Sequence, residues 1–293
     1  MASNAVVLAC PPGGKRGRKR VGINRLRFVS WNVGTLIGTS IELVQALYRR
    51  KVNIACIQET KWVGAKAREI DGYKLWYSGG TRARNGVGIL VEKELTERVV
   101  EVRRYSDRIM SIKLVLGAVV FNVISVYAPQ MGLTEDIKKV FWEELEEVLQ
   151  SIPRDEKLFL GGDFNGHIGE KADGYVRTHG GFEFGVRNSG GVALLDFATT
   201  FDLTIGNSLF KKREDHLVTF RSGSCRTQID YCLIRSNHRS LCRDCKVIPR
   251  EFLGTQHRLL VLDMVIKGFR LKRRSGGVAR VRWCNLTRDN ATK

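Results

Sequence analysis

Short apolar runs of strand length recur along this chain, and many follow one another with no helical pattern between them. Residues 25–31 alternate, with Leu26, Phe28 and Ser30 on one side, and read as a first strand. Further strands are expected at 52–57, 73–77 and 87–91, and a hairpin over 108–116 and 118–126 turns at Gly117. Later strands are expected at 157–161, 203–206, 217–221, 229–234 and 259–266. Only three helices show the 3.6-residue spacing. One is capped by Thr39 or Ser40 and runs to residue 50, with Ile41, Val44, Leu47 and Tyr48 on its face. A second spans 135–151 behind Thr134, with Ile137, Phe141, Leu145, Val148 and Leu149 facing the core. A third starts near Gly190 and buries Leu194, Leu195 and Phe197. Many adjacent strands and few helices favour a mixed sheet, or two sheets packed face to face with helices outside. A dinucleotide-binding fold is disfavoured, because no glycine-rich fingerprint follows the first strand.

Charge divides the chain. Its 293 residues carry a formal net charge of +19, yet residues 1–27 hold seven Lys/Arg without an acid and residues 267–293 hold nine with one. We therefore expect a basic leader over 1–24, a folded domain over 25–267 and a basic linker or tail over 268–293. Basicity of this kind implies an acidic partner such as nucleic acid. The run at 15–20 is a nuclear address, a nucleic-acid arm or a solvated leader. The apolar stretch at 5–9 is too short for a secretory signal, and no apolar run approaches the ~18 residues of a membrane span. A nuclear or cytoplasmic, non-secreted protein follows, with no membrane partner and no obligate protein partner. The seven cysteines are scattered and odd in number, which fits free thiols. Cys242 and Cys245 have the spacing of half a zinc site, but Cys225 and Cys232 complete it only irregularly.

One segment combines strand and chemistry: Lys157-Leu158-Phe159-Leu160-Gly161-Gly162-Asp163-Phe164-Asn165. A buried strand is expected to turn at the two glycines, which tolerate positive φ, and to aim an acid and an amide, two residues apart, the same way. Taken alone it is equally well a strand-ending turn. Other strand ends add to it. Asn32 closes the first strand and Glu59 the second, Tyr127 precedes Pro129 and Gln130, Asp230 lies in a late strand, and His257 precedes the last. Polar groups collecting at apolar strand ends are where such sheets build sites.

In this order and context, Asn32, Glu59, Tyr127, Asp163, Asn165, Asp230 and His257 resemble the endonuclease/exonuclease/phosphatase superfamily over about 25–267. The resemblance is closest to the endonuclease domains of RTE-like non-LTR retrotransposons and to craniofacial development protein 2-like sequences. It rests also on Phe184-Gly185-Val186-Arg187-Asn188, Leu194-Leu195-Asp196-Phe197 and Thr255-Gln256-His257-Arg258. It implies a four-layer α/β/β/α sandwich and a Mg²⁺-dependent phosphodiesterase, with Mn²⁺ as a substitute, that nicks DNA to leave 3′-hydroxyl and 5′-phosphate ends. Glu59, Asn32, Asp163 and Gln256 would surround the metal. Asp163 would activate water, Asn165 and Tyr127 would bind the phosphate, and His257, held by Asp230, would stabilise the transition state. Arg221, Arg226, Arg82, Arg84 and Gln130 are the expected nucleic-acid contacts. The reverse transcriptase that follows such nucleases is absent from this chain. Gly34 and Gln256 stand where many relatives carry acids, which argues against a second metal. The alternatives are an AP endonuclease or small-phosphoester phosphatase of the same superfamily, or a catalytically silent nucleic-acid-binding protein.

Overall fold

The computed structural model describes residues 23–267. The expected tail over 268–293 and all but the last two residues of the expected leader lie outside the described residues. One sheet runs, in spatial order, β14 (Cys242–Ile248), β15 (Leu259–Lys267), β1 (Ile23–Asn32), β2 (Ile54–Gln58), β5 (Val87–Glu92), β4 (Tyr73–Ser78) and β3 (Ala65–Ile70). The other runs β10 (Leu203–Ile205), β13 (Asp230–Arg235), β9 (Lys157–Asp163), β8 (Val119–Tyr127), β7 (Ile109–Leu116) and β6 (Val99–Arg104). Each sheet contains one parallel pair, β1 with β2 and β8 with β9, among antiparallel neighbours. A separate ribbon pairs β11 (Phe220–Ser222) with β12 (Cys225–Thr227).

Period-two alternation sorts side chains into layers. In β1, Leu26 and Phe28 face the second sheet, while Val29 and Trp31 face α1 (Ser40–Arg49). In β9, Phe159 points inward, and Leu158 and Leu160 point out toward α3 (Glu135–Gln150) and α4 (Ser189–Thr200). Phe28 stacks on Phe121 and Phe159 at 5.1 and 4.7 Å between the sheets. The three apolar layers separate four structural ones: helix, sheet, sheet, helices. This is the expected α/β/β/α sandwich. A single helical turn, α2 (Lys93–Thr96), follows β5 and buries Leu95 in the core between the sheets.

Several local expectations change. The glycines of β9 do not turn the chain. The strand continues through them to Asp163, and the left-handed residue is Asn165, with φ 50°. Gly162 is required for close approach, since a Cβ there would lie 2.3 Å from the Val126 carbonyl oxygen. Helix α1 buries Leu43, Val44, Ala46 and Leu47 and leaves Ile41 and Tyr48 exposed. Ile137 on α3 is also exposed. Thr39 and Thr134 stand at N-cap positions without a side-chain cap bond, whereas Asn188 caps α4 by accepting from the Gly191 amide. Strands β3 and β6 lack a clear apolar run because they are sheet edges with largely exposed faces.

Candidate active site

The C-terminal ends of the parallel strands β1, β2, β8 and β9 lie side by side, so their last residues meet. The Asn32 amide nitrogen donates to Glu59 Oε1 at 2.8 Å and to Asp163 Oδ2 at 2.9 Å. Its Oδ1 accepts from the Gly34 amide, which fixes the amide orientation, because the flipped form would set oxygen against two carboxylates. The Tyr127 hydroxyl donates to Glu59 Oε1 at 3.0 Å, and Gln130 Nε2 reaches that hydroxyl at 3.5 Å. Asp163 Oδ1 accepts from the Asn165 amide, whose side chain donates to the Ala128 carbonyl. His257 completes the set. Its Nδ1 meets Asp230 Oδ2 at 2.9 Å and its Nε2 lies 3.7 Å from Asp163 Oδ2. Asn32, Glu59, Tyr127, Asp163, Asn165, Asp230 and His257 are thus one connected cluster. Glu59 and Asn165 both take left-handed backbone, with φ 55° and 50°. For a glutamate this conformation is costly, so the surrounding contacts hold it in place.

Burial, together with the nearby Asp230 charge, raises the Asp163 carboxyl to about 7, against the opposing pull of His257 and the Asn32 and Asn165 donors. Burial alone would lower His257, but the Asp230 and Asp163 charges outweigh it and raise the imidazole to about 9. His257 is therefore a cation at neutral pH. Burial, aided by the Glu59 and Asp163 charges, pushes the Tyr127 phenol up, so it remains a donor.

Among the described residues, Glu59, Asp163 and His257 form the one group of three whose ligand atoms lie within 4.8 Å of one another. A cationic imidazole repels a metal, which leaves the two carboxylates. Among the described residues Glu59 Oε2 meets only Lys61, at 3.6 Å, and the Glu59 side chain is partly open to water. An open carboxylate beside a buried one fits a hard dication that keeps several waters. Asn32 turns its nitrogen, not its oxygen, toward this space. Gln256 lines the same cleft, but its amide donates to Ser222 in the ribbon at 2.8 Å.

The expected nucleic-acid contacts are dispersed. Arg84 and Gln130 line a cavity of about 410 Å³ beside Glu59, together with Lys61 and Arg108, and Arg82 is exposed in the same turn. Arg221 and Arg226 stand directly opposite one another on the ribbon. Phe220, Cys225 and Thr227 line the cleft that also contains Asp163 and His257. The two arginines are engaged by Asp215 and Glu214.

Three supporting residues have no role assigned from the sequence, although Thr255 stands in the Thr255-Gln256-His257-Arg258 motif. The Arg108 guanidinium lies 5.1 Å from the Tyr127 ring centroid and donates to the Tyr127 carbonyl. The Thr219 hydroxyl accepts from the Ile229 and Asp230 amides. The Thr255 hydroxyl donates to the Asn32 carbonyl and accepts from the His257 amide, joining the two ends of the cluster. Only Thr255 had a local signal, two residues before the histidine.

The profile of the Endonuclease/Exonuclease/phosphatase family matches residues 29–250. Craniofacial development protein 2 of Tragulus javanicus and of Bos taurus are each 31% identical over 242 residues. These matches cover 81% of this chain but 42% and 40% of the relatives, so the chain spans about two fifths of their length. Among solved structures, the endonuclease domain of TRAS1, a telomere-specific non-LTR retrotransposon, aligns at a TM-score of 0.60 and 17% identity, covering 82% of this chain and 98% of that one. The catalytic domain of Xenopus laevis APE2 aligns at 0.64 and 17%, covering 84% and 94%. An AP endonuclease from Archaeoglobus fulgidus aligns at 0.61 and 20%, covering 81% and 98%. At these identities the structural likeness is one of fold.

Proposed function

Because the chain belongs to the endonuclease/exonuclease/phosphatase family, we propose that it is a Mg²⁺-dependent DNA endonuclease of retrotransposon origin. It would nick DNA and leave 3′-hydroxyl and 5′-phosphate ends. One observation carries this reading: a buried carboxylate, Asp163, held between an amide and an imidazolium at the mouth of a cleft. Phosphodiester hydrolysis needs a base for water, donors for the phosphoryl oxygens and a compensating positive charge. Asp163, with its raised pKa, accepts the proton of the attacking water. Asn165 donates toward the phosphate with the Nδ2 proton not given to the Ala128 carbonyl, and Tyr127 would do so by turning its hydroxyl from Glu59. His257, kept cationic by Asp230, stabilises the charge that develops on phosphorus-bound oxygen. Asn32 Nδ2 donates to both Glu59 and Asp163 and so holds the two carboxylates at a fixed separation.

A divalent ion held by Glu59, with Asp163 nearby, would neutralise phosphate charge and polarise its bonds. Gly34 and Gln256 withhold two further acids, which supports a single ion. The basic segments outside the described residues support DNA over a small phosphoester, and the run at 15–20 supports a nuclear location. A reporter fused to residues 1–24 and found outside the nucleus would remove that location.

The test is nicking of supercoiled plasmid by the purified chain with Mg²⁺, alone and with EDTA. Nicking that stops with EDTA supports the proposal. Intact plasmid under conditions where a related active nuclease cuts would sink it. Abasic duplex and an inositol phosphate, run in parallel, separate the neighbouring activities of the fold.

A further inference from the structure

A second cavity, of about 590 Å³, adjoins the catalytic cleft and shares Asn165 and Met131 with it. Its size falls within the ~300–1,000 Å³ of small-molecule sites. Trp142, Phe164, Pro129 and Met131 supply its apolar lining, Ser189 and Asn165 supply polar atoms, and α3 adds two acids and two lysines. The Trp142 ring is braced on three sides. Phe141, Phe197 and Phe164 lie 5.1, 5.2 and 6.4 Å away between centroids. It is nevertheless only half-buried, and its indole N–H has no hydrogen-bond partner among the described residues. Gly190 leaves room for the Met131 thioether, since a Cβ there would lie 3.2 Å from its Sδ.

We propose that this cavity takes one unstacked nucleobase of the substrate strand, with Trp142 as its stacking platform. The inference rests on the nuclease reading, which sets Asn165 on the phosphate. A base lies one sugar away from its phosphate, so the space just beyond Asn165 is where a base swung from the stack would go. A rigid aromatic face with a free donor suits a heterocycle, whose flat surface stacks and whose edge accepts a hydrogen bond. The polarisable Met131 sulfur, in the same lining, also suits an aromatic surface. Extruding a base is easiest from an unpaired or mismatched site. The cavity would therefore favour single-stranded or distorted DNA over regular duplex.

The indole resonance of Trp142 reports occupancy directly. It is assigned by its loss in Trp142→Phe and followed in full-length protein with EDTA, so that nothing is cut. The probe is a single-stranded hexadeoxynucleotide. Its control is an all-abasic strand with the same phosphates. The Trp142 signal should move with the base-bearing strand and stay in place with the abasic one. Met131→Glu changes a side chain that is 45% exposed, leaves the tryptophan intact, and should shrink the shift at least fivefold. Equal shifts with both strands, no shift with either, or a full shift in Met131→Glu would overturn the proposal. Plasmid nicking is scored separately. A chain that nicks while its Trp142 signal stays still keeps the nuclease and loses this subsite. A chain that shifts without nicking keeps the subsite and loses the nuclease.

Discussion

Asp163 is the residue at which function and stability pull apart. Its carboxyl is buried among Asp230, Asn32 and His257 and raised to about 7. A carboxyl raised above its unfolded value is disfavoured as an anion by the fold, so it costs stability as pH rises from about 4 to about 7. Asp163→Asn should therefore lower nicking by ~10²–10³ or more, yet unfold at no lower urea concentration than wild type in EDTA. Its relative stability should grow between pH 5 and pH 8. A loss of stability at pH 8 would show that the charge is held favourably. His257 runs in the opposite sense. Its pKa of about 9 means protonation favours the folded state, and that contribution is lost as pH rises from about 6.5 to about 9. Asp230→Asn removes the largest raising influence. NMR titration of the metal-free protein should show the His257 ring losing its proton at a lower pH than in wild type. An unchanged midpoint would remove Asp230 from that role. These positions were legible because acids, amides and an imidazole interrupt apolar strand ends. Thr219 and Arg108 were not, since each acts through a partner remote in sequence, on the backbone of Asp230 and of Tyr127.

At the scale of single elements, β9 shows why two glycines precede Asp163. A Cβ on Gly162 would meet the backbone of β8, at 2.3 Å from the Val126 carbonyl oxygen. One on Gly161 would meet side chains, with Phe159 at 3.0 Å and Ser30 at 3.2 Å. Backbone locked in a parallel pair yields less than a ring edge does. Gly162→Ala should cost ~1–3 kcal/mol in urea unfolding and depress nicking as well, because Asp163 is the next residue. Gly161→Ala should cost less on both measures. Equal costs would mean that the strands separate freely. The sequence identified β9 as a strand but assigned its glycines to a turn, because glycine reports permitted conformations and says nothing about a neighbour's approach. The same limit explains α1. Ile41 and Tyr48 match helical spacing as well as Leu43 and Ala46 do, and only the position of β1 and β2 decides which stripe is buried. β3 was invisible for a different reason: at the sheet edge its residues are mostly exposed, and no apolar alternation marks it.

Across the whole molecule, the first described strand pairs with the last, from Ile23 beside Lys267 to Ser30 beside Leu260. The seven-stranded sheet is therefore incomplete until β15 arrives, and so is the site, because His257 stands two residues before β15. No local segment contains both Asn32 and His257, and no local reading of the sequence supplies their contact through Thr255. The closure is marked by one ion pair. Arg27 Nε and Nη2 grip the two oxygens of Asp263 at 2.8 Å each, and Nη1 donates to the Arg50 carbonyl. Asp263 is nearly buried, with 8% of its side chain exposed, while Arg27 keeps 30%. Breaking a fully buried pair costs ~3–5 kcal/mol. The exposure of Arg27 lets water compensate, so Asp263→Asn should cost about 1–3 kcal/mol in urea unfolding. The loss should change little with salt, because the two bonds are short and shielded. Asp263 lies outside the cleft, so nicking by the folded fraction should match wild type, with the deficit growing as urea or temperature is raised. A variant that unfolds as wild type does would mean that β1 and β15 are held by their ladder alone. A variant that is stable but inactive would mean that the pair sets the position of His257 through β15.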